Sequence, residues 1–424
     1  MSEARLVLLH ARTVLPDRIL EDATLCVAGG RLAYVLEATG DGRLPDGFGI
    51  GVENGTRAGA DIVVRDLRGA TVVPGFVEIH THGGGGHDFM DGTTAAFLGA
   101  ARMHAAHGTT SLLPTTLASS KIALLESLDV FSEAKRASDA AHAGVDARTA
   151  AKAGARMPGL HLEGPYFPQS QRGAQDPAHI RLPDPEEYET VLDRCPHILR
   201  WSAAPEIEGA KAFAKALRAR GVMPSIAHSD AFMEEAIEAF DSGFVSTTHL
   251  YSAMSSVRRV DGYRRGGVVE AAFLLDGMYV ETIGDGIHLP PLLLKMIWKI
   301  KGAGRVCLVT DSMRAAGMPD GRYRLGGLQG GQWAEVHDGV AWLPDHSAFA
   351  GSICTGDRLL RTAHRDAGIP LVDVVRMLAT TPADLIGQKD LGRIAQGCFA
   401  DLVVLTPDLT VEDVYIGGVL MERP

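Results

Sequence analysis

The chain is poor in cysteine, and its cysteines form no recognisable framework. Only five occur in 424 residues, and no two of them make a Cys-x-x-Cys pair. This scatter gives no disulfide scaffold and fits reduced thiols, so we predict a cytoplasmic protein. The five are Cys26, Cys195, Cys307, Cys354 and Cys398.

Long basic runs and long apolar runs are also missing. The net charge of −11 argues against a general nucleic-acid binder. The N-terminal apolar run Leu6–Leu9 is too short for a signal peptide, and no later segment approaches a membrane span. We therefore predict neither a nucleic-acid nor a membrane partner. Because the overall charge repels anions, an anionic substrate would need a local cluster of arginines.

What the sequence does have is a regular alternation of apolar strands and amphipathic helices. Eight strand patterns occur, at Val72–His82, Thr109–Thr116, Pro158–Gly164, Ile198–Ala204, Val222–His228, Phe244–Leu250, Met278–Gly284 and Arg305–Asp311. Helical patterns lie between them and after the last strand, and an alanine-rich segment over residues 134–155 predicts an extended helical connection. Eight strand–helix units predict an α/β fold, a (β/α)₈ TIM-like barrel over residues 71–394.

The two chain ends differ from this middle. Short β-like runs separated by turn signals fill residues 1–70, and similar runs return at Ala400–Leu405 and Val414–Leu420. We predict that residues 1–70 and 395–424 form one small β-sandwich domain built from both termini. The glycine-rich stretch Thr39–Gly59 has no period and predicts a surface loop.

Polar residues gather where the predicted barrel strands end. His80 and His82 alternate with apolar neighbours, so both imidazoles point to the same side of the first strand. Comparable polar ends occur on later strands, at Glu163, His228, His249, His288 and Asp311. In a barrel these carboxyl ends face one cavity. Converging imidazoles and carboxylates predict a site for a divalent transition metal such as zinc or iron.

This set of groups suits hydrolysis. A bound divalent metal lowers the pKa of water from about 15.7 to about 7 and can polarise a carbonyl oxygen. The carboxylate of Asp311 could take a proton from such a water and pass it to a leaving amine. The combination favours cleavage of an amide or another C–N bond.

Six segments of the chain resemble the amidohydrolase superfamily and, within it, the N-acetylglucosamine-6-phosphate deacetylases. They read Pro-Gly-Phe-Val-Glu-Ile-His-Thr-His-Gly at 74–83, Leu-Glu-Gly-Pro-Tyr at 162–166, Thr-His-Leu-Tyr-Ser-Ala-Met-Ser at 248–255, Asp-Gly-Ile-His at 285–288, Val-Thr-Asp-Ser-Met at 309–313 and Phe-Ala-Gly-Ser at 349–352. The first is common to the superfamily. Leu-Glu-Gly-Pro together with Thr-His-Leu-Tyr-x-Ala-Met is specific to the deacetylases, and the resemblance covers nearly the whole chain.

The resemblance implies a metal-dependent removal of the acetyl group from N-acetyl-D-glucosamine 6-phosphate, with glucosamine 6-phosphate and acetate as products. It assigns Glu163, His228 and His249 to one metal ion. His80 and His82, with Glu163 and Asp311, would hold a second, so that one or two ions of zinc or iron are expected. Asp311 would act as general base and then as general acid.

The resemblance also implies the substrate contacts. Those on this chain would be Ala174, Gln175, Ser252, Ala253, His288, Phe349, Ala350 and Gly351. In the family an arginine after the Thr-His-Leu motif reaches the sugar phosphate of a neighbouring subunit, and Arg264 aligns best with it among Arg258, Arg259, Arg264 and Arg265. A homodimer with Arg264 contributed to the neighbouring site is therefore expected.

Two departures from the family pattern leave the sugar open. Ser252 stands where the family usually has asparagine, and Gln175 stands where it often has histidine. Glutamine can donate a hydrogen bond but cannot carry a charge. The galactosamine epimer, N-acetylgalactosamine 6-phosphate, remains an alternative substrate.

A second alternative function is that of another amidohydrolase, such as a cyclic amidase or a nucleobase deaminase. The carboxylated-lysine version of the cyclic amidases is disfavoured, because Glu163 stands on strand three. A non-catalytic metal-binding scaffold would have no need of Asp311 as a proton shuttle.

Overall fold

The computed structural model describes residues 5–37, 48, 62–143 and 147–422. Apart from Phe48, the glycine-rich stretch predicted as a surface loop lies outside the described residues. Within them, no helix is both long enough and apolar enough to cross a membrane. The five cysteines are free and buried.

Eight parallel strands form the centre of the molecule, and they neighbour one another in the order of the chain. Their bounds are Phe76–Thr81, Thr109–Thr116, Leu160–Glu163, Ile198–Ala203, Met223–Ile226, Ser246–Thr247, Tyr279–Ile283 and Val306–Val309. The first and eighth strands meet where the Asp311 amide donates to the His80 carbonyl at 3.0 Å. The carboxylate of Glu78 strengthens this seam by accepting from the amides of His80 at 2.9 Å and Thr310 at 2.8 Å. The predicted barrel is confirmed.

Helices surround the barrel strands. They run over Thr94–Ala106, Lys121–His142, Pro185–Arg194, Ala210–Ala219, Met233–Asp241, Val268–Leu274, Pro291–Lys301 and Gly356–Arg361. Side-chain oxygens fix several of the starts, as where Ser120 accepts from the Ala123 amide at 3.2 Å. The last helix continues as a π-helical segment, Thr362–Asp366, and shorter pieces follow at Leu371–Val375, Arg376–Thr380 and Thr381–Leu385. In the alanine-rich connection, the long helix ends at His142 and a short one spans Ala147–Ala151.

The first predicted strand is in fact two strands. Thr71–Pro74 belongs to the terminal sheet, and only Phe76–Thr81 enters the barrel. The chain changes sheets at Gly75, where a Cβ atom would lie 2.0 Å from the Thr110 hydroxyl oxygen. Only glycine fits so close an approach, so the apolar run that reads as one strand is divided there.

Strands from both chain ends form one eight-stranded sheet. Its bounds are Arg5–Val14, Ile19–Ala28, Arg31–Glu37, Ile62–Asp66, Thr71–Pro74, Leu402–Leu405, Val411–Ile416 and Val419–Leu420. The two ends join where Leu402–Leu405 pairs antiparallel with Thr71–Pro74. An apolar cluster draws on both ends, with Leu8, Leu25 and Leu402 fully buried in it.

Two small elements lie beside the barrel mouth without having been predicted. A three-stranded sheet spans Gly321–Leu325, Gln332–His337 and Val340–Trp342, and a hairpin pairs Arg258–Val260 with Tyr263–Arg265. Their strands are only three to six residues long and are joined by glycine-containing turns. Their alternation is therefore too brief to distinguish from a loop.

Candidate metal and substrate site

One buried carboxylate lies at the centre of a histidine cluster at the carboxyl ends of the strands. Glu163 ends the third barrel strand, and its Oε1 lies 2.9 Å from His249 Nε2 and 3.2 Å from His228 Nε2. On the other side, His80 Nε2 lies 3.6 Å from Oε1 and His82 Nε2 lies 3.4 Å from Oε2. Four imidazoles from three different strand ends therefore converge on Glu163.

The ligand atoms divide into two adjacent sets that share this carboxylate. One set is His80, His82 and Glu163, and the other is Glu163, His228 and His249. Within each set the candidate donor atoms lie within 4.8 Å of one another. Asp311 borders the first set, with Oδ1 at 3.5 Å from His80 Nε2 and 3.2 Å from His82 Nε2. The sequence-predicted ligands thus come together as two groups that could each hold a metal ion.

Hydrogen bonds at Nδ1 orient three of the imidazoles. His80 donates to Glu281 Oε1 at 2.6 Å, while His82 and His228 donate to the backbone carbonyls of Thr115 at 3.2 Å and Gln171 at 2.7 Å. Because an oxygen acceptor requires a proton on Nδ1, the lone pair of each neutral ring lies on Nε2 and faces the cluster. His80 Nε2 is buried and has no hydrogen-bond partner among the described residues, which fits a metal ligand.

The surrounding carboxylates favour positive charge at the imidazoles of His80 and His82, and protons supply that charge when no metal ion is bound. Burial alone would lower the pKa of His82, but hydrogen bonds to Asp311 and Glu163 outweigh it and raise that pKa to about 9. The pKa of His80 is also raised, because the charges of Glu281 and Asp311 overcome its burial. The pKa of Glu163 is lowered well below its usual range, because the charge of His80 and the hydrogen bonds of His228 overcome burial.

A second layer of charge lies inside the barrel and was missed by sequence analysis. Arg200, on the fourth strand, is fully buried and forms an ion pair with Glu281, on the seventh. His161, which sequence analysis left outside the ligand set, lies edge-on to His80 at 4.8 Å between ring centroids. The sequence did contain a signal for this pair. Arg200 and Glu281 each lie in the middle of an apolar strand, and a charge buried there needs a partner of opposite charge.

The backbone is strained at three of these positions. His228, His249 and Asp311 have φ angles of +48°, +32° and +47°. Side chains rarely adopt this left-handed region, and such residues cluster at functional sites.

A cavity of about 210 Å³ opens above the cluster, and Glu163, Asp311, His82, His228 and His249 line it. Most of the predicted substrate contacts also line it, namely Ala174, Gln175, Ser252, Ala253, His288, Phe349 and Gly351. Apolar side chains complete the wall, namely Leu117, Ile283, Leu325 and Ala348. The small three-stranded sheet therefore contributes to the cavity through Leu325.

Two of the polar lining residues are held by neighbours. Gln175 donates to Glu163 Oε2 at 2.6 Å and accepts from the Ala118 amide at 2.8 Å, so both ends of its amide are engaged. His288 Nδ1 hydrogen-bonds Asp285 at 2.8 Å, and its ring packs against Phe349 at 4.7 Å between centroids.

Two predicted contacts lie elsewhere. The side chain of Ala350 is fully buried in an apolar cluster with Met313 and Leu325 and is not part of the cavity lining. Arg264 lies exposed on the hairpin, outside the cavity of its own chain. Within one chain the structure therefore does not bring Arg264 to the site.

Comparison with known proteins decides the family. The amidohydrolase family model matches residues 71–421, which include the barrel and every candidate ligand. This chain belongs to the amidohydrolase family. The family is metal-dependent, and both ligand groups around Glu163 lie within the matched region.

Relatives of this amidohydrolase carry two related names. A Vibrio furnissii protein named N-acetylglucosamine-6-phosphate deacetylase is 32% identical over 352 residues, 82% of each chain. A protein from Shewanella sp. (strain ANA-3) named N-acetylgalactosamine-6-phosphate deacetylase is 31% identical over 356 residues, 84% of each chain.

One solved structure extends the similarity over the whole amidohydrolase. It is an aspartate-to-alanine variant of the Mycobacterium smegmatis N-acetyl-D-glucosamine-6-phosphate deacetylase in complex with N-acetyl-D-glucosamine-6-phosphate. It is 31% identical, covers 99% of both chains and has a TM-score of 0.82.

Proposed function

We propose that this amidohydrolase removes the acetyl group from N-acetyl-D-glucosamine 6-phosphate and releases glucosamine 6-phosphate and acetate. The observation that carries the proposal is the cavity over Glu163, which is lined by residues of both candidate ligand groups and by Asp311. Relatives over most of the chain bear the name of this deacetylase.

The metal ligands follow from the two donor sets. Glu163, His228 and His249 hold one divalent ion, zinc or iron, and His80 and His82 hold a second with Glu163 and Asp311. A divalent ion in such a site lowers the pKa of water to about 7 and polarises a carbonyl oxygen.

Asp311 serves as the proton shuttle. Its backbone is fixed on both sides, because its amide donates to the His80 carbonyl at 3.0 Å and its carbonyl accepts from the Ser352 amide at 2.8 Å. Burial favours the neutral acid, but the positive charge of His80 and the hydrogen bond of His82 lower the pKa of Asp311. A divalent ion held by the two imidazoles would supply that positive charge in place of their protons. It takes one proton from the attacking water and gives it to the departing amine.

Side chains around the cavity position the sugar. With Nδ1 of His288 engaged by Asp285, its Nε2 is left to contact the substrate, and Phe349 supplies an apolar face beside it. Gln175 acts on the site chiefly through Glu163, because both ends of its amide are already bonded. Ala174, Ser252, Ala253 and Gly351 complete the contacts, and Ala350 can take part only through its backbone.

The phosphate requires a cation that the cavity does not contain. Among the described residues that line it, none is lysine or arginine. Arg258 and Arg265 are engaged within their own subunit, because both stack on Phe232 and pair with carboxylates.

Arg264, which aligns best with the phosphate-binding arginine of the family, is the candidate to bind the phosphate of a neighbouring subunit. It is exposed, and it lies directly across the hairpin from exposed Arg259, where like charges repel unless an anion lies between them. We therefore include a homodimer in the proposal, with Arg264 completing the partner's site.

A cytoplasmic location also belongs to the proposal. It is supported by the five free, buried cysteines.

N-acetylgalactosamine 6-phosphate is the second candidate substrate. It is favoured by the 31% identity to a deacetylase named for that sugar and by serine at position 252, where the glucosamine deacetylases usually have asparagine.

Acetate release by the purified protein tests both candidates. N-acetylglucosamine 6-phosphate, its galactosamine epimer and unphosphorylated N-acetylglucosamine are compared, each with and without a metal chelator. Chelator-sensitive release from only the phosphorylated glucosamine compound is the expected result. Faster release from the epimer would transfer the assignment to the second candidate. No release from any of the three by metal-loaded protein would contradict both.

A further inference from the structure

The carboxylate of Glu281 hydrogen-bonds to one residue of each candidate ligand set. It is buried on the seventh barrel strand, and its Oε1 accepts from His80 Nδ1 at 2.6 Å and from the backbone amide of His249 at 3.0 Å. The carboxylate therefore contacts one imidazole of the first ligand set and the backbone of a ligand in the second.

Arg200 holds Glu281 in place. Its Nη1 pairs with Glu281 Oε2, and its Nη2 donates to Ser225 Oγ at 2.9 Å and Thr248 Oγ1 at 2.8 Å. Arg200 and Glu281 are both nearly free of solvent. A buried ion pair is often no more stabilising than apolar residues of the same volume, so stability alone does not account for it.

The orientation of the His80 imidazole depends on a side-chain acceptor, whereas the imidazoles of His82 and His228 are oriented by backbone carbonyls. His82 and His228 donate Nδ1–H to backbone carbonyls, which remain whatever side chain their residue carries. His80 donates to Glu281 instead, and its Nε2 has no hydrogen-bond partner among the described residues. A carboxylate at this position fixes the tautomer and makes the imidazole a stronger ligand.

We propose that Glu281, held by Arg200, is the positioning residue that makes His80 a metal ligand. It thereby sets whether this chain holds an ion in the group of His80, His82 and Glu163. The inference rests on the proposed function only for the location of the metal. Removing Glu281 leaves the His80 ring free to change tautomer and orientation, while the side chains of Glu163, His228 and His249 keep their hydrogen bonds and only the backbone amide of His249 loses one.

Zinc binding to the full-length protein tests this inference without any sugar. Metal-stripped protein is reloaded with zinc, the ions per chain are counted, and affinities are measured against a competing chelator. We expect two ions in the wild type and a 10- to 100-fold weaker second ion in Glu281→Gln. The His80→Asn variant should lose the same ion, and the double variant should lose no more affinity than His80→Asn alone.

Two further variants separate positioning from folding. Arg200→Met combined with Glu281→Gln removes both buried charges, so it avoids an unpaired arginine and should still lose the second ion. Glu78→Gln is the matched control, because Glu78 is another buried carboxylate of the barrel that accepts from the backbone amides of His80 and Thr310 and, among the described residues, from no imidazole. We expect Glu78→Gln to keep both ions.

The inference is overturned if Glu281→Gln binds two ions with wild-type affinity. It is equally overturned if Glu78→Gln loses the second ion to the same extent, or if Glu281→Gln loses both ions together. A protein that binds two ions as expected but releases no acetate would contradict the proposed function and leave the role of Glu281 intact.

Discussion

Glu163 is the residue on which the two ligand sets depend. Its two oxygens face imidazoles on opposite sides, and a fifth side chain, Gln175, donates to it at 2.6 Å. A carboxylate shared in this way can bind two ions or one without a change in its own position. The chemistry of the site therefore depends on the groups around Glu163, and substitutions there give the most direct tests.

Replacing Asp311 with asparagine should separate proton transfer from metal binding. The amide has nearly the same shape but cannot take a proton from water, so we expect kcat to fall by about 10²- to 10⁴-fold, the usual contribution of general acid–base catalysis. KM and the ion bound by Glu163, His228 and His249 should change little. Steady-state kinetics and zinc counting on one preparation check this, and wild-type turnover would remove Asp311 from the mechanism.

Replacing Gln175 with alanine should weaken metal binding. The change removes the amide that donates to Glu163, and the loss of such a supporting hydrogen bond typically costs 10- to 100-fold in metal affinity. Gln332→Ala is the control, because Gln332 donates to the neighbouring Ala174 carbonyl at 2.7 Å without a hydrogen bond to Glu163. Equal zinc affinities of the two variants would argue against a positioning role for Gln175.

Gly75 determines how two elements are joined. The strand that pairs with the C-terminal strand ends at Pro74, and the first barrel strand begins at Phe76. This single residue lets the terminal sheet pack directly against the base of the strand that carries His80 and His82. The placement of these ligands therefore depends on a residue that carries no side chain.

Gly75→Ala should destabilise the fold. A Cβ atom would meet the Thr110 side chain at 2.0 to 2.6 Å, and forced overpacking of this kind costs about 1–3 kcal/mol. Gly221→Ala is the comparison, because its Cβ would have no neighbour within 4 Å and only its φ of +73° opposes the change. Thermal unfolding should give the larger loss for Gly75→Ala, and the reverse order would mean that the close approach is easily relieved.

The elements differ in how much their sequence reveals. The barrel strands could be predicted because both faces are covered, so Val306–Val309 stands out as an apolar run beside a helical pattern. The break at Gly75 could not, because an apolar run does not show which sheet each half joins. Glu281 and Arg200 were missed for a related reason. Their pairing crosses the barrel, and no local pattern records that contact.

At the scale of the whole molecule, the site of one chain lacks a group that its proposed substrate requires. The described lining of the cavity includes no lysine or arginine, and the net charge of −11 disfavours an anion. The hairpin carries two exposed arginines, Arg259 and Arg264, on paired positions of its strands. A second copy of the chain could bring this hairpin to the cavity.

Arg264→Ala should therefore weaken binding of the phosphorylated sugar selectively. A hydrogen bond to a charged group contributes about 1.5–3 kcal/mol, so we expect KM for N-acetylglucosamine 6-phosphate to rise roughly 10- to 150-fold. The kcat at saturating N-acetylglucosamine 6-phosphate should change little, because Arg264 takes no part in the proton transfer. Arg265→Ala is the matched control from the same hairpin, because Arg265 pairs with Glu234 at 3.2 Å and stacks on Phe232.

Mixing two impaired variants, at a substrate concentration well below the KM of Arg264→Ala, tests whether Arg264 acts across subunits. Asp311→Asn lacks the proton shuttle and Arg264→Ala lacks the phosphate contact, so each is impaired alone. If the arginine comes from the neighbouring chain, a mixed dimer has one site with both defects and one site with neither, and about half of the wild-type activity per mixed dimer returns. If Arg264 served its own site, every site would keep one defect and activity would not recover. Light scattering on the same samples should show dimers, and a monomeric enzyme with full activity would contradict the shared site.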